Sequence, residues 1–462
     1  MELPVSFKEK MRELLGESCD DLLRSYDKPP VSSIRINTSK ITAGEFEKVA
    51  PFPTEPVPFV SNGYYIDDTD AWSKHPYYFA GLYYIQEASA MLPAYLLPVD
   101  EGDIVCDVCA APGGKSTQLS PKAHLLISND ISRSRTIPLV KNLEMTGCAN
   151  YLVTCSDPAK LSEIYGPCMD KVLVDAPCSG EGMFRKDPQL IASYMQKGPE
   201  GYCDIQRNIL ESAYKMLKPG GMLMYSTCTF SDMEDEQVVS SFTEDHKDIS
   251  LIDITDLYEG FDGPYKKYEE LDNIKGCVHV FPQRLRGEGH FMALMKKDGM
   301  ADRGFPKRST DRMLGYEQLP AGAKDLLGMF TQDMLCRIKN SAFILTGDGF
   351  MTMLPEDGEK FYDKSLHYAR TGTCIGRVKG TSFSVHTALA LASHMEDFSN
   401  VINFPAGDEN VYRYLKGETI VDDSLKADKG YVLVCTDTYP LGFAKYDGVR
   451  LKNLYEKGWR LS

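Results

Sequence analysis

The sequence predicts an α/β protein built on an open, doubly wound parallel sheet. Three observations predict it. Between about Ile85 and Lys297, short apolar runs alternate with segments of helical spacing, the rhythm of βαβ units in a parallel sheet. Three of these runs feed turns of small residues: Cys109-Ala110-Ala111-Pro112-Gly113-Gly114-Lys115, Asp175-Ala176-Pro177-Cys178-Ser179-Gly180 and Tyr225-Ser226-Thr227-Cys228-Thr229. Acids stand at or just past the ends of two further runs, at Asp130 and Asp157. In such sheets ligands bind outside the carboxyl ends of the strands, so one edge gathers all of these turns.

Residues 1–85 read as a mixed α/β cap. Phe7, Met11, Leu14, Leu15 and Leu22 recur on one helical face, with Leu23 beside them. Val31 to Asn37 follows a Pro-Pro stop and reads as a short strand, and Pro51 to Pro58 as a connector. In residues 86–300 the candidate strands are Ile104–Cys109, Leu125–Asp130, Tyr151–Cys155, Lys171–Asp175 and Met222–Thr227. Ser116–Ser120, Ser132–Met145 and Gln206–Leu217 have helical spacing. Pro219-Gly220-Gly221 is expected to separate the last helix from its strand, and His290–Met295 to form an edge strand. Residues 298–310 are polar, with two glycines and a proline, and read as a linker. Beyond it, 311–400 reads as an α+β domain and 405–462 as a second small one, with a break near Phe404-Pro405-Ala406-Gly407.

The start, Met1-Glu2-Leu3-Pro4, lacks the basic and apolar regions of a signal peptide, and no apolar run approaches the roughly 20 residues of a membrane span. Thirteen cysteines, an odd and scattered set, point to reduced thiols in a cytoplasmic protein rather than a disulfide framework. Cys106 and Cys109 form a lone Cys-x-x-Cys with no second pair at zinc-ribbon spacing, so no metal is expected. The net charge of −15 excludes a blanket polyanion binder. The charge is uneven, however: residues 86–300 carry 21 basic against 32 acidic residues, whereas 301–462 balance at 21 each. Lys364 to His394 holds four basic residues, three histidines and no acid. Nucleic acid would therefore meet local basic patches; the alternative is that these are solvated faces.

The glycine turn follows a strand and precedes a helix. Its glycines let backbone approach a ligand, and the helix start offers N–H groups to a carboxylate or phosphate. It is not the G-x-G-x-x-G fingerprint of dinucleotide sites. Asp130 ends the next strand, where an acid accepts from a ribose diol. Asp157 and Asp175 occupy comparable places on the third and fourth strands, with helix capping the competing explanation for each. Cys178 and Cys228 lie just past apolar strands in turns of small residues. Two thiols beside a cofactor cleft suggest covalent catalysis on a base, because carbon 5 of cytosine is a poor nucleophile until sulfur adds to carbon 6. Packing is the competing explanation, since most strand cysteines are inert.

Together these segments resemble the RsmF/NSUN family of RNA (cytosine-5) methyltransferases. The matches are Asp107 to Gln118, Asp175 to Pro188 and Tyr225 to Thr229, with Tyr84 to Met91 similar to the family's lead-in. Leu3 to Asn37 is similar to the bacterial RsmF-type amino-terminal segment. Arg413 to Glu418 resembles a short signal of its carboxyl-terminal region, and Tyr439 to Lys445 with Leu451 to Asn453 its PUA-like RNA-binding module. Asp130 departs from the commoner pattern, standing where relatives often carry Glu.

The resemblance implies a Rossmann-like S-adenosylmethionine-dependent methyltransferase domain between an α/β cap and an α+β, PUA-like carboxyl-terminal region. It implies methyl transfer to carbon 5 of a cytidine in RNA, with Cys228 as nucleophile, Cys178 assisting release and Asp175 bonding the cytosine edge or the cofactor's amine. The implied cofactor residues are Cys109, Ala110, Ala111, Pro112, Gly113, Gly114, Lys115, Asp130, Asp157 and Asp175. The expected partner is rRNA, within the small ribosomal subunit, and the expected state a monomer in the cytoplasm, away from membranes. Four alternatives stay open: Cys178 as nucleophile, as in the DNA-type variant; tRNA or 23S rRNA as substrate; an N-methyltransferase; and a non-catalytic assembly factor.

Overall fold

A computed structural model describes residues 2–302, 304–306 and 313–461. Residues 303 and 307–310 of the expected linker, and the expected domain start at 311, lie outside the described residues.

Five parallel strands form the centre of a ten-stranded sheet: Leu217–Thr227, Met169–Asp175, Ile104–Asp107, Leu125–Asn129 and Tyr151–Thr154, in that spatial order. The chain moves outward from Ile104–Asp107 through two strands. It then crosses back to begin the other half with Met169–Asp175. The junction of Ile104–Asp107 with Met169–Asp175, paired Asp107 to Leu173, is thus the switch point where a crevice opens at the carboxyl ends.

Successive side chains of a strand leave opposite faces, and here both faces are apolar because both are covered. Cys106, Val172, Val174 and Tyr225 pack under Ile209, Leu210 and Ala213 of helix Glu200–Met216 and Val238 and Val239 of helix Glu236–Asp245. Val105, Leu173 and Met224 pack under Leu119 of helix Gly114–Leu119 and Leu139 and Leu143 of helix Arg133–Met145. Each such buried aliphatic side chain contributes about 1.5–3 kcal/mol. This is the doubly wound arrangement.

Three expectations need correction. His290–Lys297 is an interior strand, not an edge: it pairs with Leu217–Thr227, with Val278–Val280 and with Ile249–Ile252. Pro219-Gly220-Gly221 lies within the strand Leu217–Thr227 instead of ahead of it. Its extra residues are taken up by a register shift between Met169 and Lys171 of the partner, with Gly220 at φ +82°. Finally, Tyr368–Thr371, from beyond the linker, completes the sheet by pairing antiparallel with Tyr151–Thr154.

The cap contributes a four-stranded sheet in the order Glu55–Pro56, Gly63–Ile66, Ser32–Ile36, Tyr83–Ile85. The single amphipathic helix read from Phe7 to Tyr26 is two, Val5–Leu15 and Cys19–Ser25, because Gly16 turns at φ +58°. Phe343–Leu345, Phe350–Met353, Thr373–Lys379 and Ser382–Val385 form a further sheet. Five strands from Val401–Phe404 to Arg450–Asn453 form the last, so Val401–Phe404 belongs with the final sheet. Cap and final sheet share one core, in which Phe46, Trp72 and Tyr83 meet Tyr414, Leu441 and Tyr455.

Candidate active site

The glycine turn is locked from several sides. Ala110 N–H donates to Asn129 O at 2.7 Å, Arg135 donates to Ala111 O at 2.8 Å, and Asn142 donates to Pro112 O at 2.8 Å. Gly113 sits at φ +109°, which L side chains rarely adopt, and a Cβ there would meet Leu139 at 3.0 Å. Gly114 serves a different purpose: a Cβ there would meet the Tyr84 ring at 3.2 Å and the Gln86 amide at 3.3 Å, across the crevice. The cap grips the same turn through buried Arg35, which donates to Gln86 Oε1, Gly114 O and Thr117 Oγ1 at 2.9, 3.0 and 2.7 Å. A cavity of about 180 Å³ lies there, lined by Tyr84 and Gln86 on the cap side and by Asp107, Cys109 to Pro112, Gly114, Lys115 and Asp175 on the sheet side.

Asp175 ends its strand at the mouth of the crevice. Its Oδ2 accepts from Lys115 at 2.7 Å and its Oδ1 from Ser226 at 2.8 Å, with His290 Nε2 3.7 Å from Oδ1. Burial pushes its carboxyl up, but Lys115 and His290 outweigh burial and hold it well below the usual carboxylate range. Asp107 is pushed up to about 7 by burial, against a hydrogen bond from Ser116. The Cys109 thiol is pushed far up by burial and by Asp107, Asp130 and Asp175, so it lines the cavity as a neutral wall.

The strand-end acids divide. Asp130 is buried; Oδ1 accepts from Ser132 N–H at 2.9 Å, while Oδ2 has no hydrogen bond among the described residues and faces Arg135 at 3.4 Å. Asp157 is exposed two strands from the switch point and caps helix Pro158–Tyr165, accepting from Ala159 N–H at 2.8 Å. Capping thus accounts for Asp157, whereas Asp130 bonds Ser132 N–H ahead of helix Arg133–Met145 and keeps one buried oxygen that faces Arg135 without a hydrogen bond among the described residues.

The two cysteine turns meet. Cys178 and Cys228 sulfurs are 3.3 Å apart, and both residues are half-buried free thiols. Burial and the hydrogen bond to Cys228 push the Cys178 thiol far up, the hydrogen bond being the larger cause. Sequence reasoning missed the frame behind them. Glu234 accepts from Ser179 N–H and Oγ at 2.9 and 2.5 Å and from Gln206 at 3.0 Å, while Gln206 also donates to Pro177 O. Burial pushes Glu234 up to about 7. Glu181 accepts from Phe230 N–H, so each turn's acid holds the other turn. The amino-terminal helices close over both: Tyr26 OH donates to Glu181 O at 2.8 Å and Lys10 to Ser231 Oγ at 2.5 Å. The spacing of Glu234 six residues after Cys228 was visible, but nothing in a linear reading aims it back at Ser179.

These residues fit S-adenosylmethionine. A buried carboxylate oxygen at Asp130 awaits a donor such as a ribose hydroxyl, Asp107 Oδ1 is likewise unbonded among the described residues, and the space at Gly114 would be closed by a single Cβ. Fold and crevice define a class: a Rossmann-like methyltransferase that uses S-adenosylmethionine.

The comparisons make the class particular. The family model described as "16S rRNA methyltransferase RsmB/F" matches residues 94–296. The "N-terminal domain of 16S rRNA methyltransferase RsmF" matches 3–88, and the "Methyltransferase RsmF PUA domain" 401–461. The "Ribosomal RNA small subunit methyltransferase F" of Shewanella sp. (strain W3-18-1) is 30% identical over 456 residues, covering 94% of this chain and 92% of that one. Its counterpart from Erwinia tasmaniensis is 31% identical over 488 residues, covering 98% and 96%. Among solved structures, a methyltransferase homolog protein from Pyrococcus horikoshii is 28% identical with a TM-score of 0.55, covering 63% of this chain and 94% of that one. NSun6 from Pyrococcus horikoshii, solved with SFG, shares the fold at 21% identity and a TM-score of 0.53, covering 64% and 99%. This chain belongs to the RsmF family of 16S rRNA methyltransferases.

Proposed function

We propose that this protein methylates carbon 5 of a cytidine in 16S rRNA through a covalent enzyme–RNA adduct. The observation that carries this reading is the 3.3 Å approach of the Cys178 and Cys228 sulfurs beside Asp175 at the crevice mouth. Methylation of nitrogen or oxygen has no use for paired thiols, because a lone pair attacks directly. Carbon 5 of cytosine needs a sulfur on carbon 6 first.

Cys228 is the nucleophile in this reading. The Cys178 thiol is pushed far up, first by its hydrogen bond to Cys228 and then by burial, which makes Cys178 a poor nucleophile and supports this reading. The target base leaves its stack to reach the sulfur. Bond formation between Cys228 Sγ and carbon 6 moves the 5,6 double-bond pair toward carbon 5. S-adenosylmethionine supplies the electrophilic methyl group. A base then takes the carbon 5 proton, whose bonding pair restores the double bond and returns the C–S pair to Cys228, with Cys178 assisting this release. Asp175, kept ionised by Lys115, accepts from the exocyclic amine of the cytosine or from the cofactor's amine. Cys109 to Lys115 form the cofactor cradle, with Asp130 on the ribose and Asp157 at the outer rim.

The PUA-type region holds the RNA, and the enzyme acts as a cytoplasmic monomer on the small subunit. No helix among the described residues is long and apolar enough to cross a membrane. Bisulfite sequencing of rRNA and tRNA from a strain lacking the gene tests this reading. One or more 16S cytidines should lose protection and regain it on complementation. Loss confined to tRNA or 23S rRNA would replace the substrate, and no loss anywhere would overturn the reaction.

A further inference from the structure

We propose that His290 is the general base that receives the thiol proton of Cys228. This rests on the reading of Cys228 as nucleophile and adds a residue that none of the three motifs contains.

His290 is 2% exposed, yet neither ring nitrogen has a hydrogen-bond partner among the described residues. A buried polar group left unbonded is unfavourable, so proteins rarely keep one without a use for it. The other fully buried histidine of this sheet, His279, spends Nε2 on Glu236 at 2.9 Å. His290 therefore stands out as an imidazole held in reserve.

Strand pairing puts it beside the nucleophile. His290–Lys297 runs antiparallel to Leu217–Thr227, with Phe291 opposite Thr227 and Met292 opposite Ser226. The strand ends there, and one residue further along each segment lie His290 and Cys228, where Gly182 bridges the two: its N–H donates to Cys228 O at 2.9 Å and its O accepts from Gly289 N–H at 3.3 Å. Ser226 Oγ donates to Asp175 Oδ1, the same oxygen that lies 3.7 Å from His290 Nε2.

The surroundings favour an imidazolium once the proton has moved. Asp175 faces the ring from the next strand but one, with Lys115 beyond it on its other oxygen. Cys228 follows the strand that pairs with its own, and Cys178 Sγ lies 3.3 Å from Cys228 Sγ. On its own segment, Glu288 is bound by Arg185 at 2.9 Å, and Glu87 is engaged by Glu288 N–H at 2.9 Å. Asp175 is thus the one carboxylate aimed at His290, and His290 is among the causes that keep it ionised. In the step itself, the Cys228 S–H bond breaks, its electron pair stays on sulfur and the proton goes to a ring nitrogen of His290. Sulfur then uses that pair to bond carbon 6. The constellation is a cysteine, a histidine and an orienting acid.

The test reads the thiol instead of the methyl transfer. Full-length protein is alkylated with iodoacetamide from pH 5 to pH 9, and the modified peptides are quantified by mass spectrometry. Wild-type Cys228 should react already near pH 6. In His290→Phe and His290→Gln its alkylation midpoint should rise by at least about one pH unit, a tenfold loss of rate near pH 6.5 because only the thiolate reacts. Calorimetric binding of S-adenosylmethionine at wild-type affinity marks each variant as folded. Coincident profiles for Cys228 in wild type and a folded variant overturn the role of His290. The wild-type profile decides alone if neither variant folds: a single step at the ordinary thiol range, with no reactivity near pH 6, overturns it without any mutation. Fast alkylation of Cys178 in place of Cys228 is a different failure, that of the nucleophile reading.

Discussion

Replacing Lys115 with Met removes the cation that holds Asp175 in place. Lys115 Nζ and Asp175 Oδ2 are 2.7 Å apart, with side chains 12% and 30% exposed. The Asp175 carboxyl is held below its ordinary range, so folding favours its ionised form. The stabilisation is therefore present above the unfolded value of about 3.9 and is lost as pH falls through the lower folded value. Stranding one member of a buried pair costs about 3–5 kcal/mol. Asp175 keeps Ser226 at 2.8 Å and the nearby His290, which sets the expectation at the lower end, about 3 kcal/mol at pH 7.5. In the variant, burial acts on Asp175 without Lys115 to oppose it, so its carboxyl takes up a proton at a higher pH than in the wild type. The difference should then shrink toward about 1 kcal/mol by pH 4.5, the value of the neutral hydrogen bonds that remain. Urea titrations followed by far-ultraviolet circular dichroism at the two pH values measure both numbers. A cost under about 1 kcal/mol at pH 7.5, or one that does not fall between pH 7.5 and 4.5, refutes the ion-pair account.

The two glycines of the turn should fail differently. Gly113→Ala strains a backbone at φ +109° and presses Leu139, lowering stability by about 1–3 kcal/mol, whereas Gly114→Ala should keep stability and weaken S-adenosylmethionine binding in calorimetry. Arg35→Met should lower both, since two charge-assisted bonds from Arg35 join the cap to the turn and its helix; unchanged cofactor affinity would show that the cap's grip does not shape the crevice. A fragment ending at residue 302 removes the sheet-completing strand Tyr368–Thr371 and half of the core around Trp72 and Tyr414. It should aggregate or unfold without a cooperative transition in scanning calorimetry, and a cooperative transition would show that the first 302 residues fold alone.

Much of this was legible in the sequence, for physical reasons. Leu125–Asn129 and Tyr151–Thr154 are uninterrupted buried runs, so they fall within a residue of where the apolar pattern puts them. The three turns were legible because few backbones tolerate glycine pairs or Pro-Cys-Ser-Gly after a strand. The edge assigned to His290–Lys297 was wrong because its outer neighbours, Val278–Val280 and Ile249–Ile252, are three and four residues long and too short to carry a period. His290 itself was read as one more residue of an apolar run, since a lone histidine gives no sign of the carboxylate it will face. Tyr368–Thr371 and the core shared by cap and final sheet depend on contacts across hundreds of residues, which local pattern does not encode.

The central claim is that two adjacent thiols serve different steps. Cys228→Ala and Cys178→Ala proteins are each incubated with 16S rRNA and S-adenosylmethionine and run on a denaturing gel. Cys228→Ala should neither methylate nor form an adduct, because no sulfur is left to add to carbon 6. Cys178→Ala should transfer one methyl group and stay attached, giving a protein–RNA band that survives denaturation. A trapped band from Cys228→Ala, with none from Cys178→Ala, would contradict the account and make Cys178 the nucleophile.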